Sequence, residues 1–145
     1  MVDVPVNYWA VLVGAIANMA IGFVWYGPLF GKQWTKLMGW TPEQMEAGKA
    51  KMKSEGWKTY GMAAIGALVM AFVMSHVATF AMAYMQTSGM AAGLSTGFWM
   101  WLGFVAPVTM STVLWEGKSW KLWCLSSGYY LVALLVMGAI VAGWR

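Results

Sequence analysis

The sequence is poor in charge, and in acids most of all. Only 10% of its residues are charged, Asp and Glu together number 5, and histidine and cysteine occur once each, as His76 and Cys124. Soluble domains carry about 25% charged residues, so this chain lacks the polar surface that a globule of its size needs in water. A single cysteine excludes a disulfide within the chain and any cysteine-cluster metal site. The acids Asp3, Glu43, Glu46, Glu55 and Glu116 lie outside the apolar runs, which argues against hydrolysis by paired carboxylates or a Ser-His-Asp set at membrane depth. A phosphate-binding loop needs G-x-x-x-x-G-K-S/T. Here Gly117-Lys118-Ser119 has Thr112 where the first glycine belongs, and Gly31-Lys32 is followed by Gln33. No nucleic-acid partner is expected.

What is present is apolar: 61% hydrophobic residues, with 11 Trp and 14 Met. Val4 to Gly31 and Leu122 to Trp144 hold no charged residue, and Thr59 to Trp115 holds only His76 as a titratable base. A helix rises about 1.5 Å per residue, so roughly 20 residues cross a hydrocarbon core about 30 Å thick. The outer two runs supply one crossing each. The middle run supplies two, turning at Gln86-Thr87-Ser88-Gly89. The expectation is an all-α, polytopic membrane protein: a single transmembrane domain over 1–145, with helices about 7–27, 60–85, 93–115 and 121–143. The first run is not expected to be a secretory signal, because Asp3 stands where Lys or Arg should be and Trp25-Tyr26-Gly27-Pro28 makes a poor cleavage site.

Lysines set the orientation. Lys32, Lys36, Lys49, Lys51, Lys53 and Lys58 fall in 28–58, and Lys118 and Lys121 in the turn near 116–121. Four crossings bring both segments to one side, which the positive-inside rule makes cytoplasmic, with both termini outside. Trp and Tyr favour the headgroup level. Trp25, Trp34, Trp40, Trp57, Trp115, Trp120 and Trp123 gather at the lysine-rich level, and Tyr8, Trp9, Tyr84 and Trp144 at the other. Gly-Lys-X-Trp occurs twice, at Gly31–Trp34 and Gly117–Trp120. Interfacial anchoring accounts for it, and a duplicated helical hairpin is the alternative.

Between the first two crossings, 28–58 reads as a cytoplasmic amphipathic segment. Thr41 suits an N-cap, Pro42 the first helical position, and Glu43 and Glu46 the positive end of the dipole. This helix is expected to end near Ser54, before Gly56, and to lie on the membrane surface or against a neighbouring subunit. Its lysines would face anionic lipid headgroups.

Polar residues at membrane depth must find partners there. Asn18, His76, Trp101, Tyr129 and Tyr130 are the candidates. If they converge they form a polar centre, either a ligand or proton site built on His76 or a set of interhelical hydrogen bonds. Met70 and Met74 have the M-x-x-x-M spacing that suits copper(I). His76, however, lies about 160° around the helix from Met74, and Met also fills gaps in cores. No metal ligand is therefore assigned, and the cofactor is unknown. Gly89, Gly93 and Gly97 form a stripe of small residues, as do Ala63, Ala67 and Ala71, and Ala10, Gly14, Asn18 and Gly22. Such faces allow close helix packing within the bundle or between subunits. Pro107 should kink the third crossing, and a cavity would open most naturally at that kink, beside Trp101.

Asn7-Tyr8, GFVWYGPLFGKQW from Gly22 to Trp34, FWMWLGFVAP from Phe98 to Pro107, and Trp115-Glu116-Gly117-Lys118 followed by Gly128-Tyr129 together resemble the bacterial four-helix membrane family filed as domain of unknown function 1761. That resemblance implies four helices and the bacterial inner membrane, and it implies no reaction. The residues themselves leave two functions expected. One is a non-enzymatic, oligomeric binding or transport module for a small apolar or weakly polar ligand. The other is a structural or accessory subunit of a larger membrane complex.

Overall fold

The computed structural model describes residues 4–145, and all the regular structure among them is helical. Asp3, which the charge pattern puts at the outer face, lies outside the described residues. Helix α1 spans Tyr8–Val24 and starts where Asn7 Oδ1 accepts from the backbone N–H of Trp9 at 3.0 Å and of Ala10 at 3.2 Å. Asn7 Nδ2 also donates to the Trp144 carbonyl at 3.2 Å, tying the two ends of the chain together.

After Val24 the helix widens into a π turn over Trp25–Leu29, with Gly27 off helical geometry and Pro28 inside. The turn closes where the Phe30 N–H reaches the Trp25 carbonyl at 2.9 Å. The chain then passes so close over Tyr26 that a Cβ at Gly31 would lie 2.7 Å from the Tyr26 carbonyl oxygen. Only glycine fits there. Helix α2, Gly31–Met38, follows and ends at Gly39 with φ 70°.

Helix α3, Pro42–Met85, is 44 residues long. Its start is the expected one. Thr41 Oγ1 accepts from Gln44 N–H at 3.2 Å, and Gln44 Oε1 from Thr41 N–H at 2.9 Å, a reciprocal cap. The expected end near Ser54 is absent, and the helix runs through Gly56 into the second apolar run. One glycine costs a helix interior about 1 kcal/mol, and the good helix formers around Gly56 outweigh it. At about 66 Å, α3 is roughly twice the hydrocarbon thickness. Its charged first part, exposed from Pro42 through Ser54, continues the axis of the crossing and is not a separate surface helix.

Gln86, at φ 56°, closes α3. The third crossing is built in pieces: α4 Gly89–Met100, a π turn over Trp101–Val105, α5 Ala106–Thr109 and α6 Ser111–Leu114. The break expected from Pro107 is thus a π turn just ahead of it. Helix α7, Trp120–Gly143, is capped by Ser119, whose side chain accepts from Leu122 N–H. Tyr8–Leu29, Pro42–Met85, Gly89–Leu114 and Trp120–Gly143 are four helices long and apolar enough to cross a membrane. Lys118 Nζ donates to the Met38 carbonyl at 3.4 Å, so the two lysine-bearing turns meet at one end of the bundle. The two Gly-Lys-X-Trp copies differ in geometry: Gly31 opens α2 under a steric demand, whereas Gly117 sits in a turn at φ 69°.

Helix α7 touches α1, α3 and α4. Ala15, Ala71, Ala78, Met74, Met137 and Val141 fill the space between α1, α3 and α7. Helices α4 and α7 cross with backbones almost in contact. A Cβ at Gly93 would lie 2.0 Å from the Gly138 carbonyl oxygen, one at Gly97 2.4 Å from that of Leu134, and one at Gly138 2.2 Å from that of Gly93. Gly93 and Gly97 therefore serve packing within the chain. Gly14 and Gly22 are less tightly held, with nearest side-chain atoms at 3.4 Å (Met137 Cγ) and 3.2 Å (Tyr129 OH).

Gly97→Ala or Gly138→Ala should cost about 1–3 kcal/mol, because backbone must move to admit the methyl group. Gly14→Ala, meeting only side-chain atoms, should be tolerated. Thermal unfolding in detergent reads both, and equal melting temperatures for the three variants would refute the close crossing.

Candidate functional site

Two tryptophans begin the two π turns, and each carries glycine two residues on: Trp25-Tyr26-Gly27 and Trp101-Leu102-Gly103. Both indoles reach the backbone of α7. Trp25 Nε1 donates to the Leu125 carbonyl at 3.0 Å, and Trp101 Nε1 to the Ser127 carbonyl at 2.9 Å and its Oγ at 3.1 Å. A helical carbonyl has a second lone pair for such a donor. Small residues clear the way, since a Cβ at Gly128 would stand 3.4 Å from the Trp25 ring. A third indole, Trp123 Nε1, donates from α7 to Thr109 Oγ1 at 3.1 Å.

Tyr129 makes the matching contact to α1. Its hydroxyl donates to Asn18 Oδ1 at 3.1 Å and lies 3.3 Å from the Asn18 carbonyl oxygen, and Asn18 is buried. An aromatic ladder joins this pair to the lysine-rich end: Tyr130–Tyr129 at 4.9 Å between ring centroids, Tyr129–Tyr26 at 5.3 Å, Tyr26–Trp34 at 5.1 Å and Trp34–Trp40 at 5.0 Å.

The five residues singled out in the sequence thus divide into three groups. Asn18, Tyr129 and Tyr130 lie together between α1 and α7. Trp101 pairs with Ser127 on the opposite face of α7, since residues two apart on a helix differ by about 200°. His76 stands apart, its Nδ1 2.9 Å from the Phe72 carbonyl of its own helix and its ring against Phe72. Among the described residues, no buried side-chain nitrogen or oxygen lacks a partner. Met74 is packed in the core with Met137, so its thioether acts as filler. Among the described residues, no three of His, Cys, Asp and Glu cluster as metal ligands would.

Open space lies at the sides of the bundle. Helices α3 and α4 diverge, leaving a cleft of about 500 Å³ that includes Val77, Ala81, Ser95, Trp99, Met100 and Phe104. Its wall on the third crossing, from Ala91 in α4 to Phe104 in the π turn, is about 20 Å long, more than half of a hydrocarbon core about 30 Å thick. Ser95, Thr96, Thr87 and Ser88 are its polar groups. A cavity was expected beside the Trp101 kink, and the cleft does border that break at Met100 and Phe104; its extension along α3 was not expected, because two apolar helices in sequence carry no mark of which faces stay apart.

A protein-family model described as "Protein of unknown function (DUF1761)" matches residues 9–142. No curated protein and no solved structure matches the chain.

Tyr129→Phe and Trp101→Phe should each lower stability by about 0.6–1.7 kcal/mol, the range of hydrogen bonds inside membrane bundles. Their effects should add, because the two pairs share no partner. His76→Leu should cost less than either. A double-mutant cycle measured by unfolding in detergent tests this, and strong coupling between the first two would reveal one shared centre.

Proposed function

The chain belongs to the DUF1761 family, and we propose from that premise that it is a non-enzymatic membrane binding module taking a small apolar or weakly polar ligand sideways from the lipid, between α3 and α4. One observation carries the reading: among the described residues every buried polar side-chain atom already has a partner, whereas the α3–α4 cleft stands open and apolar with hydroxyls along it. Its volume falls within the usual range for small-ligand sites, about 300–1,000 Å³. The confinement of the acids to positions outside the uncharged stretches supports a binding role over catalysis.

A second reading, an oligomer or a subunit of a larger membrane assembly, draws its support from the charged half of α3. That half extends about 25 Å past the uncharged stretch, at the helical rise, with its surface uncovered. The lysine-rich end would lie in the cytoplasm of a bacterial cell and the Tyr84–Gly89 turn outside its inner membrane, as the lysine asymmetry suggests.

Ser95→Trp, placed on the exposed wall of the cleft, should abolish a small-molecule adduct seen by native mass spectrometry of protein drawn from its own membrane, without loss of helicity. An adduct that persists, or no adduct in the wild type, contradicts the lateral site. For orientation, a membrane-impermeant maleimide added to intact cells should label Tyr84→Cys in a Cys124→Ser background and leave Cys124 of the wild type unlabelled. The reverse pattern would invert the topology.

A further inference from the structure

Helix α2 lies against the start of α7 and leaves a second cleft, of about 740 Å³, at the lysine-rich end. Its floor is apolar, built from Trp25, Phe30 and Leu37 on one side and Leu125 and Gly128 on the other. Lys36 and Gln33 come from α2, Lys121 and Trp120 from the first turn of α7. Neither α2 nor α7 contains an acidic residue. Among the described residues the ion pairs are Glu46–Lys49 and Glu55–Lys58, so neither Lys36 nor Lys121 has a carboxylate partner there. Two cations from different elements thus flank one apolar floor, at the level where the uncharged runs of the first and last crossings end.

We infer that this α2–α7 cleft is a binding site for one anionic phospholipid, with its phosphate between Lys36 and Lys121 and the upper part of an acyl chain on the Trp25–Phe30–Leu125 floor. Charge decides the occupant: the cleft is lined by cations and no carboxylate, and the ammonium of lysine is a compact partner for phosphate. An acidic peptide would leave the floor against water, whereas a lipid fills floor and mouth together. The site is independent of the α3–α4 cleft and stands or falls separately. It also gives the WYGPLFGK motif a purpose beyond anchoring, because the π turn carries Trp25 and Phe30 onto the floor while Gly31 turns α2 so that Lys36 comes to the mouth.

The single cysteine provides a reporter, since Cys124 is exposed and lines the same cleft. Purified protein in mild detergent is titrated with phosphatidylglycerol or phosphatidylcholine, and bound lipid is counted by native mass spectrometry while the rate of Cys124 alkylation is followed. One phosphatidylglycerol should bind in preference to phosphatidylcholine and slow the alkylation. K36Q/K121Q should weaken that binding tenfold or more, at about fivefold per lysine, and abolish the protection of Cys124. K49Q/K51Q, which removes the same charge from the projecting half of α3, should leave both unchanged. Equal weakening by the two double variants would reduce the effect to general surface charge and overturn the site. So would equal binding of the two lipids, binding without protection of Cys124, or protection by inorganic phosphate alone. Unchanged circular dichroism of K36Q/K121Q guards against a folding defect, and both lysines are exposed.

Discussion

Two indole N–H groups reaching sideways onto the backbone of α7 hold the first and third crossings in place. Both side chains are half-buried against α7, and an indole N–H turned into the protein needs an acceptor there. They find it at Leu125 and Ser127. Each indole starts a π turn, where one extra residue per turn rotates the following chain relative to the preceding helix. After the first π turn the chain bends away into α2, and after the second the third crossing continues as the short helices α5 and α6. Between these contacts and the end where Asn7 meets Trp144, the Gly93–Gly97–Gly138 crossing draws α4 onto α7 until the backbones touch.

Function follows from what this arrangement uses up. Four of the polar side chains inside the bundle are occupied with each other, Asn18 with Tyr129 and Trp101 with Ser127. A centre of that kind specifies geometry and offers a ligand no unpaired group. Because α4 is drawn onto α7, open volume is left between α4 and α3 at the side of the bundle. At the opposite end, α2 folds back beside α7 and encloses a cleft between lysines. Both clefts are consequences of how α7 gathers its neighbours.

Much of this was legible in the residues. Gaps in the charge pattern locate four crossings, Thr41-Pro42 marks the start of α3, and the glycine stripe of α4 identifies a packing face. Other features were not. Gly56 reads as a helix end, yet nothing near it competes with helix formation, so the charged segment and the crossing are one rod. Depth along a span is readable from sequence, but the partner of Trp101 is not: the fold pairs it with Ser127, about 200° around α7 from Tyr129, so no single centre forms. The Gly-Lys-X-Trp repeat drew notice, whereas the repeat that matters in space is Trp-x-Gly at Trp25 and Trp101, which is too short to stand out among 11 tryptophans.

The central claim is that the interior is dry and its indoles are bound to α7. Hydrogen exchange of the indole N–H groups, followed by nitrogen-15 NMR of the tryptophan-labelled protein in lipid nanodiscs, tests it most directly. Trp25 and Trp101 should exchange far more slowly than Trp57 and Trp115, which are 74% and 85% exposed. Exchange of Trp25 and Trp101 as fast as that of the exposed pair would mean that water enters beside α7, and the paired interior would have to be abandoned.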